Sequence, residues 1–166
     1  MHLLDLGHKT VFYVGRVQGA TDNTRANGWK DALEERGIEA PEPIVVSDGN
    51  LEKAVKAGHE LGRRGEATAI FADSDETAIA VIRGLRETGR RVPDDVSVVG
   101  FDDRNFGALW EPSLTSYTQN FLDMGERSFR MLFEQIQAKR TGADMPPSQI
   151  EVVQGQPCLR ASEREI

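Results

Sequence analysis

The sequence predicts an α/β fold in which a parallel sheet is flanked by helices on both faces. Four short segments, at 10–15, 44–46, 67–72 and 96–101, are rich in β-branched and aromatic residues and have few polar positions. Segments of this kind are typical of strands that are covered on both faces. Amphipathic helical segments alternate with them, at about 22–36, 51–64 and 75–88. This alternation predicts parallel strands that are joined by helical crossovers.

The predicted helices begin and end at residue types that favour helix boundaries. Asn50 precedes one of them as an N-cap, and the segment Asp73-Ser74-Asp75 caps another, because short polar side chains can accept a hydrogen bond from an exposed backbone N–H. Gly37 and Gly89 follow the last turns of two helices, and Gly7 closes a short helical segment at 2–7.

The pattern changes after Asp103. A helical turn is predicted at 105–110, an extended segment at 112–119 and a long amphipathic helix at about 121–139, with Asn120 as its N-cap. Segments 150–153 and 158–160 then bracket a polar reversal, which predicts two short strands. The charged tail at 163–165 is expected to fray.

Composition excludes several classes of function for this chain. With 27 acidic and 20 basic residues the net charge is −7, which argues against a nucleic-acid-binding surface because phosphate contacts need clustered Lys and Arg. Cys158 is the single cysteine, so no internal disulfide forms. No apolar run approaches the roughly 18 residues of a membrane span, and residues 2–8 lack the pattern of a signal peptide. We therefore expect a cytoplasmic protein of one domain, or of one domain with part of a second.

The sequence carries no recognisable catalytic motif. Phosphate-binding loops, nucleophile elbows and zinc-protease motifs are all missing from it. The three histidines, His2, His8 and His59, have no partner at metal-ligand spacing, so we interpret them as structural. We accordingly predict no enzyme activity, no catalytic residue, no metal and no cofactor.

Acidic residues nevertheless follow two of the predicted strands. Asp73, Asp75, Asp102 and Asp103 could converge as a metal or phosphoacceptor site. Such a site would normally also need an acidic pair after the first strand, where Gly15, Arg16 and Val17 stand instead. This second class of function, an enzyme on a doubly wound sheet, is therefore the weaker interpretation.

A ligand site made of polar side chains fits the pattern better. Arg25 lies in the first turn of the helix after the first strand, and Ser74, Asp75 and Asp102 follow two other strands. Parallel strands bring their carboxyl ends to one edge of the sheet, where open α/β sheets bind ligands. Arginine's planar fork suits vicinal hydroxyls or a carboxylate. Two simpler alternatives stay open, that Arg25 forms a surface salt bridge and that Asp102 and Asp103 cap the next segment.

Several segments together resemble the effector-binding region of the LacI/GalR family of bacterial transcription regulators. These segments are Gly-His-Lys-Thr-Val at 7–11, Arg-Ala-Asn-Gly-Trp at 25–29, Thr-Ala-Ile-Phe-Ala-Asp-Ser-Asp at 68–75, the stretch 92–103, Pro-Ser-Leu-Thr-Ser at 112–116 with Gln119, and Met-Gly at 124–125. Each segment is weak alone, but their order and spacing make the combination specific.

The resemblance implies a periplasmic-binding-protein-like fold, in which two α/β lobes close on an effector. The implied ligand contacts are Arg25, Asp102, Ser74, Gln119 and Thr21. Residues 1–117 would form the main part of the C-terminal lobe, 118–141 a crossover and helix of the other lobe, and 142–166 returning strands and the tail. The implied partners are a small sugar-like or nucleoside-like effector and a second copy in a homodimer. DNA would be bound through an N-terminal helix-turn-helix that this sequence does not contain. No membrane partner is implied.

The sequence departs from the family in lacking the helix-turn-helix and the first half of the N-terminal lobe, so we interpret it as truncated. Without that lobe the helix at 121–139 would expose Met124, Phe129, Leu132 and Phe133. We expect this face to pack against another copy or to fold back on its own lobe. We also expect the chain alone to bind an effector negligibly, because closure supplies much of the burial. A solute-binding protein of a sugar transport system, which shares the fold, is the alternative.

Overall fold

The computed structural model describes residues 1–17, 24–46 and 49–166. Its helices are α1 (His2–Asp5), α2 (Thr24–Glu34), α3 (Leu51–Arg63), α4 (Asp75–Glu87), α5 (Asn105–Leu109) and α6 (Phe121–Thr141). Its strands are β1 (Phe12–Gly15), β2 (Ile44–Val45), β3 (Ala69–Ala72), β4 (Ser97–Val99), β5 (Ser116–Thr118) and β6 (Gln156–Cys158). The predicted start of the second helix at Asp22 lies outside the described residues.

Four parallel strands form the central sheet, in the order β2-β1-β3-β4. Val14 pairs with Ile44 on one side of β1, and Tyr13 pairs with Phe71 on the other. Phe71 in turn pairs with Val99 of β4. The predicted α/β fold with parallel strands is thus confirmed.

Each face of this sheet carries its own apolar core, because the strand side chains alternate between the faces. On one face Val14, Ile70 and Val98 pack against α3 and α4, in a cluster that includes Leu61 and Leu85. On the other face the cluster consists of residues from α1, α2 and the strands, namely Leu3, Val11, Tyr13, Ala26, Trp29, Leu33 and Ala69. Helices on both faces were predicted, and this arrangement confirms them.

The helices α3 and α4 approach each other closely at two glycines. A Cβ atom built on Gly84 would lie 2.1 Å from the carbonyl oxygen of Val55, and one built on Gly58 would lie 2.3 Å from that of Val81. Both distances are far too short for a side chain, so the absence of a Cβ atom at these positions is what lets the two backbones pack.

The predicted caps are confirmed, and within the segment 73–75 the capping residue is Ser74. Asn50, Ser74 and Asn120 each precede a helix, and their side chains accept hydrogen bonds from the backbone N–H groups of Lys53, Thr77 and Asp123. Each cap satisfies one of the N–H groups that a first helical turn leaves without an intrahelical partner.

The chain divides into two compact units. The first contains Met1–Tyr117 and Pro157–Ile166, and the second contains Thr118–Gln156. Strand β5 pairs with β6 in a small two-stranded sheet. In the second unit α6 exposes a row of large apolar side chains, among them Leu122, Phe129, Leu132 and Phe133. The packing of this face against another copy or against its own lobe therefore stays a prediction.

None of the described helices combines the length and the apolar character that crossing a bilayer requires. Even α6, which has 21 residues, is interrupted by charged side chains.

The predicted strand at 150–153 is wrong. That segment is irregular, and two of its apolar side chains are exposed, Ile150 at 93% and Val152 at 75%. The strand lies instead at β6, which includes Gln156 and Pro157 from the predicted reversal. Proline is tolerated in an edge strand such as this one, and it is pairing with β5 rather than local turn propensity that decides the position.

The prediction that the tail frays is also wrong. Ser162 is fully buried, and its carbonyl oxygen accepts the N–H of Val98 at 2.8 Å. Beyond it, the N–H of Arg164 donates to Ser97 Oγ at 3.0 Å and that of Ile166 donates to the carbonyl of Leu6 at 3.0 Å. The edge strand β4 has backbone groups that need partners, and the polar tail supplies them.

Candidate ligand-binding site

Arg25 and Asp102 meet at the carboxyl edge of the central sheet. Arg25 projects from the first turn of α2, and its Nη2 donates to Asp102 Oδ1 at 3.1 Å. Its Nη1 donates to the backbone carbonyl of Asp73 at 2.7 Å. The two side chains remain 24% and 14% exposed, so the pair is half-buried and still accessible. The structure thus brings together two of the predicted site residues.

Phe101 fixes the plane of the guanidinium group. The Arg25 Cζ atom lies 4.2 Å above the centre of the Phe101 ring, a distance at which a cation is attracted by the ring face. Tyr117 stacks on the same ring, with 5.4 Å between ring centroids. Sequence reasoning missed Phe101, which had been interpreted only as the last residue of a strand. Its position directly before Asp102 is the one signal that the sequence offered.

The loop between β3 and α4 lies at the same edge, and its side chains are used to build the loop itself. Ser74 caps α4 and its hydroxyl also donates to Thr77 Oγ1 at 2.9 Å. Asp73 accepts the backbone N–H of Arg16 at 2.9 Å and the hydroxyl of Thr77 at 2.9 Å. Ser74 is thus near the candidate site with its hydroxyl engaged in capping, and its contact with a ligand stays a prediction.

Asp75 is fully buried behind the pair. Its Oδ1 accepts the hydroxyl of Ser116 at 2.5 Å, and its Oδ2 accepts the backbone N–H of Arg104 at 2.5 Å. Burial raises the pKa of the Asp75 carboxyl, hydrogen bonds from Ser116 and Arg104 lower it, and the charges of Asp102 and Asp103 raise it, with a net upward shift.

The alternative role of Asp103 as a helix cap is wrong. The residue before α5 is Arg104, and no side chain caps that helix from its own N-cap position. The Asp103 carboxylate instead forms an ion pair with Arg160 at 2.6 Å and accepts a weak hydrogen bond from the thiol of Cys158 at 3.3 Å. Arg160 is far away along the chain, so only the tertiary structure identifies it as the partner.

The structure does not test two further predicted contacts, Gln119 and Thr21. Gln119 belongs to the second unit, where its carbonyl oxygen accepts the N–H of Phe121 at 2.9 Å. Thr21 lies outside the described residues. Both therefore stay predictions.

A groove of about 640 Å³ lies along one face of the sheet in the first unit. Its walls are mainly apolar and include Leu4, Trp29, Phe71 and Leu159, while Arg25 stands at its polar end. An apolar groove offers few partners for hydroxyl groups, so a polar ligand would find more hydrogen-bonding partners at the Arg25–Asp102 pair than along this groove.

His8 has a structural setting. Its two ring nitrogens lie 3.0 Å from Thr68 Oγ1 and 3.1 Å from Ser97 Oγ, and burial lowers its pKa. Across residues 1–17, 24–46 and 49–166 no three His, Cys, Asp or Glu side chains are grouped so that they could hold a metal ion.

Comparisons with known proteins place this chain in a family. The periplasmic binding protein-like domain matches residues 1–162. The HTH-type transcriptional regulator CelR of Thermobifida fusca is 35% identical over 142 residues, which are 84% of this chain and 42% of that protein. The HTH-type transcriptional repressor PurR of Yersinia pestis bv. Antiqua is 34% identical over 154 residues, which are 91% and 44%.

A solved structure, that of a transcription regulator from Lactobacillus plantarum, matches with a TM-score of 0.84 at 26% identity and covers 99% of this chain and 63% of that one. The chain thus spans less than half the length of the two curated relatives. It belongs to the periplasmic binding protein-like domain family and, within it, to the LacI/GalR group of transcription regulators, whose effector-binding region it covers.

Proposed function

We propose that this chain is the effector-binding part of a transcription regulator, and that in the whole protein a small polar ligand binds at the Arg25–Asp102 pair. The observation that carries the proposal is the contact of these two side chains, 3.1 Å apart and half-buried, at the carboxyl edge of the parallel sheet. The ligand class is sugar-like or nucleoside-like, because such molecules carry vicinal hydroxyl groups.

The chemistry of the pair suits vicinal hydroxyls. Asp102 offers a carboxylate that accepts O–H groups, and Arg25 offers a planar fork of N–H donors that can bind two oxygens of one ligand. Phe101 beneath the guanidinium holds that fork in one plane, so less conformational freedom is lost when a ligand binds. Thr21, Ser74 and Gln119 are proposed as further contacts.

In the whole protein the effector would act on DNA binding at a distance. Both curated relatives are named as helix-turn-helix transcription regulators, so we infer a DNA-binding domain outside the matched region. An effector bound between two lobes would favour one lobe orientation and so change the affinity of that domain for DNA. We propose that the regulator is a cytoplasmic homodimer, and that residues 118–141 belong to the second lobe.

Isothermal titration calorimetry with a panel of monosaccharides and nucleosides tests the proposal. It is carried out on a longer gene product that contains this chain, and the chain alone, which we expect to bind negligibly, serves as the comparison. For the panel member that binds, we expect Arg25→Ala and Asp102→Ala each to weaken binding roughly 10- to 100-fold, because hydrogen bonds to charged groups contribute about 1.5–3 kcal/mol.

Two matched variants control for the loss of charge alone. Arg83→Ala removes an exposed arginine of α4 that pairs with Glu87, and Asp94→Ala removes an exposed aspartate that pairs with Arg91. We expect both to bind as the wild type does. Equal affinity of the Arg25→Ala and Asp102→Ala variants and the wild type would show that the ligand lies elsewhere.

A further inference from the structure

The loop from Phe101 to Arg104 carries Asp102 in an unusual backbone conformation. Asp102 has a φ of 101° and Asp103 a φ of 52°, and they are the two non-glycine residues with positive φ among those described. Side chains with a Cβ atom rarely adopt this region, and two successive residues persist there only where their surroundings hold them. The direction in which Asp102 faces Arg25 depends on this conformation.

The surroundings that hold the loop converge on one buried residue, Asp75, through its side chain and its backbone N–H. Its own N–H donates to the carbonyl of Phe101 at 2.9 Å, and its Oδ2 accepts the N–H of Arg104 at 2.5 Å. Its Oδ1 accepts the hydroxyl of Ser116, whose oxygen in turn accepts the N–H of Asp103 at 3.0 Å. The backbone groups on both sides of the two left-handed residues are thus tied to Asp75, directly or through one hydroxyl.

The fit around Asp75 is close. A Cβ atom built on Gly100 would lie 2.4 Å from Asp75 Oδ1, so only glycine allows the strand end to approach the carboxylate. The N–H of Asp102 donates to the carbonyl of Tyr117 in β5 at 3.0 Å. The loop is therefore hydrogen-bonded on one side to Asp75, at the start of α4, and on the other side to strand β5.

We infer that Asp75 is a positioning residue, which holds Asp102 and Asp103 in the left-handed conformation that directs Asp102 to Arg25. It acts through the loop and has no ligand contact of its own, since it is fully buried. The inference rests on the proposed function in that Arg25 and Asp102 are taken as the effector contacts. The conformation of the loop itself can be measured without any ligand.

NMR spectroscopy of the unliganded chain tests the inference with Asp75→Ala and Asp75→Asn. Residues with positive φ give strong amide-to-α-proton Overhauser effects within the residue. In Asp75→Ala we expect these signals to weaken at Asp102 and Asp103, and the guanidinium resonances of Arg25 to shift. In Asp75→Asn we expect the wild-type signals, because a carboxamide can accept from Arg104 N–H and donate to the oxygen of Ser116.

Two more variants separate positioning from a general loss of stability. Ser97→Ala also removes a buried polar group from this sheet, but at the opposite end of β4, so we expect it to leave the Asp102, Asp103 and Arg25 signals unchanged. Asp102→Gly accepts a positive φ without strain, so we expect Asp75→Ala to lower the urea midpoint by less in that background than in the wild type.

If Asp75→Ala does not fold, Ser116→Ala tests the same inference, because it removes only the hydroxyl that joins Asp75 Oδ1 to the N–H of Asp103. Loss of the Asp103 signal in that variant supports the inference. Unchanged signals at Asp102 and Asp103 in a folded Asp75→Ala or Ser116→Ala variant would overturn it, as would additive effects of Asp75→Ala and Asp102→Gly. Failure to find an effector would contradict the proposed function and leave these results unaffected.

Discussion

Gly84→Ala is a direct test of how α3 packs on α4. The added Cβ atom would lie 2.1 Å from the carbonyl oxygen of Val55 and 2.9 Å from the Cα of Gly58, well inside the 3.4 Å at which ordinary contact begins. Both neighbours are backbone atoms, so no change of rotamer can relieve the overlap. The two helices would have to separate, and the apolar cluster beneath them would lose contacts.

The magnitude follows from two opposing effects. Overpacking of a close contact typically costs about 1–3 kcal/mol. Replacing glycine by alanine inside a helix returns about 0.5–1 kcal/mol. Because the overlap is with backbone atoms, the upper part of the overpacking range applies, roughly 2–3 kcal/mol. We therefore expect Gly84→Ala to lower the free energy of unfolding by roughly 1–2.5 kcal/mol, measured by urea denaturation that is followed by circular dichroism.

Gly28→Ala is the matched control. Gly28 lies in the exposed interior of α2, and a Cβ atom there would meet no other atom within 4 Å. The same substitution should therefore raise the free energy of unfolding, by about 0.5–1 kcal/mol. Opposite signs for the two variants are the expected result. A Gly84→Ala variant as stable as the wild type would mean that α3 and α4 are not in this close contact.

Three other predictions concern ionisation and the buried tail. The pKa of Asp75 is raised in the folded chain, so its contribution to stability is present below its ordinary pKa of about 3.8 and is lost as the pH rises through the raised value. The free energy of unfolding of Asp75→Asn relative to that of the wild type should therefore increase between about pH 3 and about pH 7 in urea titrations. A difference that does not change with pH would contradict the raised pKa. Asp95 behaves in the opposite way, because the side chain of Arg91 lowers its pKa to about 2. Asp95→Asn should lower the midpoint of thermal unfolding near about pH 5 and have little effect near about pH 2, where the wild-type carboxyl is largely protonated in the unfolded chain and half protonated in the folded one. Equal effects at the two pH values would argue against this ion pair. Ser162→Ala leaves the carbonyl of Val98 and the N–H of Thr115 without the hydroxyl that joins them, so it should cost about 1–3 kcal/mol in urea unfolding. The exposed Ser148→Ala variant should stay within about 0.5 kcal/mol of the wild type, and a similarly small loss for Ser162→Ala would refute the proposed role of the tail.

Local patterns predicted the framework of the fold well. The apolar segments that became β1, β3 and β4 and the N-caps Asn50 and Ser74 are all recognisable within a few residues of sequence. The reason is physical, because a strand covered on both faces must be apolar nearly throughout. A cap requires only a short polar side chain beside the first turn.

Local patterns failed where a segment's partner is distant in sequence. The polar tail around Ser162 resembles a frayed terminus until it is seen to supply hydrogen bonds to Val98 and Thr115. In the same way, residues 150–153 have the composition of a strand, but they pair with none of the strands in the described part of the chain. Pairing is a property of two segments, so neither case could be decided from one of them.

The candidate site shows the same division. That Arg25 and Asp102 lie at strand ends follows from the order of strands and helices, because parallel strands bring their carboxyl ends to one edge. The sequence by itself therefore determined the fold class, and it predicted the edge and the two side chains of the candidate site. Only the tertiary structure decided that Phe101 packs against the guanidinium of Arg25 and that Asp103 pairs with Arg160 and does not cap a helix. It also decided that Asp75 is hydrogen-bonded to the loop that carries Asp102. These contacts join residues from separate elements, and their geometry depends on how the helices and strands pack, which no local pattern encodes.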